Sequence, residues 1–214
     1  MKPTARSISI LIKVLALILL AIAIAYPDLG GLKSKGIGVR AVVYPLGLVA
    51  LPLLCWLVRR RRPAVRLDWV ADALCSLPIL VDLAGNRANL FDTVWWWDDA
   101  MHLLMHGVLT AAVLRQFWPR TRGVPLITAA IAFGGLSGLA WELGEYLAFM
   151  RYGVELSGAY LDTLGDLCGG MAGSLLAGIL LNLRWPAYRP PASRLTEDSR
   201  GERLYVGAGS PAGR

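Results

Sequence analysis

The chain has 214 residues, 56% of them hydrophobic and 17% charged, with a formal net charge of +7. Its apolar residues come in long blocks and not at amphipathic spacing, which excludes an ordinary water-soluble domain and predicts an all-α polytopic membrane bundle. The positive charge gathers at the ends of these blocks, as in RRRRPAVR at 59–66, so the expected partner is anionic membrane lipid and no nucleic acid.

A bilayer core needs roughly 20 mostly apolar residues per helix. Six stretches qualify, at about 8–26, 40–58, 68–84, 98–118, 124–147 and 160–183. The first follows Lys2 and Arg6 but ends at YPDLGG without a small-x-small cleavage pattern, so it reads as a retained anchor. Lys13, inside it, either faces inward or snorkels to the cytoplasmic boundary, and its position favours the second. The third opens beside the arginine run, whose charge Asp68 and Asp72 are expected to balance, while Asp82 near its far end lies at the depth of the later acidic groups. Cys55, Cys75 and Cys168 sit far apart within apolar segments and suggest neither a disulfide framework nor a paired-cysteine metal site.

The fourth stretch is preceded by Trp95, Trp96 and Trp97 and begins DDAMHLLMHG. At about 100° per residue, Asp98, Asp99, His102 and His106 fall within one arc of the helix. The fifth carries WELGEY near its end, which puts Glu142 and Glu145 one turn apart on a shared face. The loop at 148–160 contains Arg151 and Glu155 and is placed to cover the pocket. The sixth opens with YLDTLGDLCGG, so Asp162 and Asp166 also share a face. Gly134 with Gly138, and Gly169 with Gly173, supply the four-residue small spacing that lets helices five and six approach closely. From Trp185 onward the chain turns to Pro, Arg, Ser and Gly and is expected to be a disordered cytoplasmic tail, leaving a transmembrane domain over residues 1–185.

Placing the amino terminus in the cytoplasm gives the inner side Lys2, Arg6, Arg59 to Arg62, Arg66, Arg120, Arg122 and the arginines of the tail. The outer loops keep Lys33, Lys35, Arg40, Arg87 and Arg151. This is the positive-inside pattern, with both termini cytoplasmic in a bacterial inner membrane. The tryptophans agree: Trp95 to Trp97 fall at the outer interface, Trp118 and Trp185 at the inner one.

With this topology, helices four to six bring the eight ionisable groups to similar depth, within about 12 Å of the outer boundary. A charged side chain facing lipid costs at least ~2.5 kcal/mol, so these groups should face the bundle interior. Six carboxylates and two imidazoles do not neutralise one another, and a bound cation is the economical resolution. Asp98, Asp99, His102, His106, Glu142, Asp162 and Asp166 are the candidate ligands. Hard oxygen with some imidazole and no thiolate suits a divalent metal such as zinc, manganese or magnesium. Helix capping is the competing account for Asp98, Asp99 and Asp162; it is weaker for Glu142 and Asp166, a turn or more into the apolar layer.

The succession DDAMHLLMHG, WELGEY and DTLGDLCGGMAG resembles the bacterial YjdF-type integral membrane proteins, similar in plan to the VanZ-like group. The resemblance covers roughly residues 95 to 180 and implies a small polytopic bundle. The matching positions are Asp98, Asp99 and His102, then Trp141, Glu142 and Glu145, then Asp162, Thr163 and Asp166. The family pattern often continues to a further Asp where this chain has Gly170, and is commonly small where this chain has His106. That exchange predicts that His106 replaces the missing carboxylate. The resemblance implies no established reaction.

Three functions compete. The first is a metal-dependent hydrolase or transferase acting on a lipid or lipid-linked envelope substrate, with Glu142 or Glu145 as general base. The second is a proton or cation transporter, against which the inner halves of helices four to six offer only Thr110, Thr128, Ser137, Ser174 and Asn182 as polar steps. The third is a structural or stress-related protein whose polar cluster specifies packing.

Overall fold

The computed structural model describes residues 4–29, 32, 35–152, 154–184, 196–197 and 203–204. The chain divides into Met1–Arg184 and Trp185–Arg214. In the first unit the helices are α1 (Ala5–Ala25), α2 (Ile37–Arg59), α3 (Trp69–Arg87), the single turn α4 (Leu90–Thr93), α5 (Trp97–Phe117), α6 (Gly123–Ala148) and α7 (Ala159–Arg184), with 3-10 turns at Met150–Tyr152 and Val154–Ser157. Each predicted apolar stretch is a helix, its ends displaced by at most about three residues. In the second unit Thr196–Glu197 pairs antiparallel with Arg203–Leu204. The rest of the predicted tail, Trp185, Lys2, Lys33 and the Glu155 side chain lie outside the described residues.

Among the described residues five helices, α1, α2, α3, α6 and α7, are long and apolar enough to cross a membrane. α5 has the length, but its Asp98, Asp99, His102 and His106 make it less apolar, and it is held by contacts with α3, α6 and α7. The other pairings join α1 to α3, α2 to both of these, and α6 to α7. Outward-facing leucines such as Leu11, Leu46 and Leu136 are more than half exposed, as lipid-facing residues should be. Pro45 and Pro52 lie within α2 and Pro78 within α3; interior prolines are tolerated in membrane helices where neighbours satisfy the freed carbonyls.

Small residues set the closest approaches. Gly173 of α7 faces the Leu103 carbonyl of α5, where a Cβ would overlap the backbone, and Gly107 faces Gly173 in return. Gly134 of α6 receives the Ser174 side chain of α7. The two glycine pairs therefore do not serve one interface: Gly134 and Gly138 pack on α7, whereas Gly169 and Gly173 pack on α5.

Two predicted charge placements are corrected. Lys13 does not snorkel; its Nζ lies 2.7 Å from Asp72 Oδ2, and Asp72, 1% exposed, also accepts from the Ser9 hydroxyl at 2.5 Å. Asp72 therefore answers α1 and not the arginine run. Asp68 caps α3 by accepting from Val70 N, and its carboxylate sits 2.7 Å from Arg115 Nε. Thus α1 is tied to α3 by a buried ion pair.

Candidate metal centre

The centre is built from one face each of α5, α6 and α7. His102, Glu142 and Asp166 are the deeply buried members, at 6%, 4% and 3% exposure. The helical repeat puts Asp98 one turn before His102, with Asp98 Oδ1 3.7 Å from Nε2. Asp166 Oδ1 approaches the same nitrogen at 3.7 Å, while Glu142 Oε1 lies 3.6 Å from Nδ1. The imidazole thus stands between two carboxylate groups. Asp98 and Asp166 face one nitrogen, and ligand atoms of His102, Glu142 and Glu145 lie within 4.8 Å of one another.

These separations decide what the groups can do. At 3.6–3.7 Å they are too long for N–H···O hydrogen bonds, whose heavy atoms sit at about 2.7–3.2 Å. Two ligands about 2.1 Å from one tetrahedral ion would lie roughly 3.4 Å apart, close to what is observed. His102 Nδ1 and Glu142 Oε1 are both buried without a hydrogen-bond partner among the described residues. Orphaned buried acceptors and donors are destabilising, so the donor set fits a divalent cation. The second Glu142 oxygen is fixed by the Thr163 hydroxyl, which donates at 3.1 Å.

His106 joins neither ligand group. Its ring stacks on His102, with centroids 5.6 Å apart, and Nδ1 faces Ser137 Oγ at 3.4 Å. A Cβ at Gly170 would sit 3.1 Å from His106 Cγ. The imidazole therefore packs against Gly170. One turn deeper, Thr110 donates to Ser174 Oγ at 2.8 Å, and the Ser174 hydroxyl faces the His106 carbonyl at 3.5 Å.

Asp99 and Asp162 are exposed, and neither is in the two ligand groups. Asp99 faces the Gly165 turn of α7, whereas Asp162 lines the mouth of the adjoining cavity.

A basic partner escaped the sequence reading. Arg40, placed there in an outer loop, belongs to the first turn of α2 and is 8% exposed. Its Nε donates to Tyr44 Oη at 2.9 Å, and the Tyr44 hydroxyl donates to Asp82 Oδ2 at 2.6 Å. Another guanidinium nitrogen donates to the Lys35 carbonyl, and a third lies 3.9 Å from Glu145 Oε1. Asn86 donates to Asp82 Oδ1 at 3.2 Å. Asp82 is therefore linked to the cluster through Arg40. The available signal was an Arg–Tyr pair at i,i+4 on an apolar helix. Asp92, about half exposed, pairs with Lys35 at 2.6 Å.

A cavity of about 620 Å³ adjoins the centre, walled by α2, α3, α5 and α6. Arg40, Asp82, Asp98, His102 and Glu145 line its polar end. Val43 and Leu54 line it too, yet are 50% and 45% exposed, so the wall is open to the side along α2.

A family model described as "Predicted membrane protein (DUF2238)" matches residues 8–185. No curated protein and no solved structure matches the chain.

Proposed function

Because the chain belongs to the DUF2238 family of predicted membrane proteins, we propose that it is a metal-dependent enzyme acting on a lipid or lipid-linked envelope substrate. The observation that carries this reading is the orphaned His102–Glu142 pair, 3.6 Å apart, beside an apolar cavity open to the side. In this reading α5 is a sixth span, both termini are cytoplasmic, and the centre lies toward the outer face of a bacterial inner membrane.

His102, through Nδ1, and Glu142 hold the ion, a zinc, manganese or magnesium. A divalent ion there supplies polarisation of a phosphoryl or acyl oxygen and a lowered pKa for bound water. Glu145 is the better general base of the two glutamates, since it lines the cavity while Glu142 is sealed among the helices. The carboxylates across the imidazole orient the ring, the usual supporting role around a metal-bound histidine. Thr163 holds Glu142 in place, and Arg40 keeps Glu145 turned toward the cavity mouth.

A path through the membrane is less well supported. Below Thr110 and Ser174 the chain of hydroxyls gives way to apolar side chains, and Asn182 instead accepts from Gly123 N at the start of α6.

The test is elemental analysis of purified protein by plasma mass spectrometry. Wild-type protein should carry near-stoichiometric divalent metal, Glu142→Gln should lose it, and Asp68→Ala should keep it. Absence of metal from the wild type after reloading with zinc, manganese and magnesium in turn would overturn the proposal.

A further inference from the structure

The charges around the cavity mouth do not balance. Among the described residues, Asp82, Asp92, Asp98, Glu145 and Asp162 line it against Lys35 and Arg40. Two of these carboxylates are matched: Lys35 Nζ lies 2.6 Å from Asp92 Oδ1, and Arg40 Nε lies 3.4 Å from Asp82 Oδ2. Glu145 has only a share of Arg40, at 3.9 Å, and neither Asp98 nor Asp162 meets a lysine or arginine among the described residues. An ion at the centre does not cancel the excess. With Glu142 and Asp166 behind the wall the carboxylates number seven, and a divalent ion added to Lys35 and Arg40 balances four of them. The mouth therefore attracts a cation and repels an anion.

Two further observations name the kind of cation. Asn86, 2% exposed, lines the same cavity. Its Nδ2 donates to the Asp82 carbonyl at 2.9 Å and to Asp82 Oδ1 at 3.2 Å, and because both neighbours are acceptors the amide can stand only this way round. Its Oδ1 is left buried with no hydrogen-bond partner among the described residues. Such an acceptor is destabilising until a donor reaches it, so the missing partner carries N–H or O–H groups. The aromatic rings agree on charge. Arg40 Cζ stands 5.9 Å from the Tyr44 centroid and 5.8 Å from that of Phe149, and Lys35 Nζ stands 5.9 Å from that of Phe91. All three lie within the reach of about 6 Å at which a ring face attracts a cation. Trp141, the ring type best suited to that contact, lines the cavity as well, with no cationic side chain over it among the described residues.

We propose that the cavity mouth binds the primary ammonium head of a membrane lipid, held among Asn86, Asp98, Asp162 and the Trp141 ring. A primary ammonium combines positive charge with three donors, which serves the orphaned Asn86 oxygen and the unmatched carboxylates together. The lipid source follows from the side opening: Val43 and Leu54, half-exposed along α2, leave an apolar way in from the surrounding hydrocarbon. The lipid's role as substrate rests on the metal-dependent reading above; its binding does not.

The test compares two photoprobes of identical chain, a primary alkylammonium and an alkyl phosphate, each with a diazirine beside the head. Both are photolysed with the whole protein in phosphatidylcholine nanodiscs and mapped by peptide mass spectrometry. The ammonium probe should label Met101 and Trp141 at least about tenfold more than the phosphate probe. Asp162→Asn should lower that labelling by about threefold, the size of an exposed charge contact, and Asn86→Leu by about tenfold, that of a buried hydrogen bond to a charged group. Asp68→Asn, at the other end of α3, should leave it unchanged. Equal labelling by the two probes, labelling confined to outward residues such as Leu46 and Leu136, or no response to Asp162→Asn would overturn the proposal. The wild-type comparison of the two probes decides the matter alone if the Leu variant does not fold. Metal content measured on the same samples separates the two readings: a preference for ammonium without metal overturns the metallo-centre only, and metal without that preference overturns the ammonium site only.

Discussion

Lys13 and Asp72 illustrate what a single residue can conceal in a linear reading. From position alone, a lysine part way along an apolar segment snorkels and an aspartate beside an arginine run balances it. The partner that overrides both arguments is 59 residues away and visible only once α1 packs on α3. Removing one member of a buried pair strands the other, at about 3 kcal/mol or more. Asp72→Leu alone should therefore lower the thermal stability of the detergent-purified protein sharply, and adding Lys13→Met should restore most of it. A double variant as unstable as the single one would show that the ion pair is not what matters. Arg40 and Asp82 were obscured for the same reason, since i,i+4 spacing reveals Tyr44 but not the α3 carboxylate it serves. By contrast the approach of His102, Glu142 and Asp166 was legible, because each lies on a helix face whose burial follows from periodicity and the cost of charge in lipid.

Among the elements, the α5–α7 contact is the one the centre depends on. Small residues at four-residue spacing announce a close helix contact without naming the partner, and so the sequence paired α6 with α7 where Gly169 and Gly173 in fact face α5. The difference between those two glycines is sharp. Around Gly169 the nearest atoms to an added Cβ stand at 3.6 Å, an ordinary contact, whereas at Gly173 the methyl would overlap the Leu103 carbonyl, which has no rotamer to give way. Gly173→Ala should destabilise the protein by about 2 kcal/mol or more. Gly169→Ala should change stability by no more than about 0.5 kcal/mol. Chemical denaturation of both variants in detergent checks this, and equal effects would mean the α5–α7 seam is looser than described.

At the scale of the molecule, the six apolar blocks mapped onto the six long helices among the described residues, five of them long and apolar enough to cross a bilayer. The side-opened cavity was not legible, since it depends on how α2 stands against α5 and α6. Orientation is testable directly. In a cysteine-free background, a cysteine at Trp95 should react with an impermeant maleimide added to intact cells, and one at Arg61 only after lysis; the reverse pattern would invert the bundle. The Lys13–Asp72 pair also bears on how the protein is made. A lysine near the middle of a first span is unwelcome in hydrocarbon by about 2.5–3.5 kcal/mol until its counterion emerges. With 59 residues between them and synthesis at about 5–20 residues per second, that wait lasts roughly 3–12 s. During that interval the apolar side chains of α1, with a mean hydropathy of 2.9, offset the lysine, and the arrival of α3 turns a cation reaching for the boundary into the ion pair that joins the two helices.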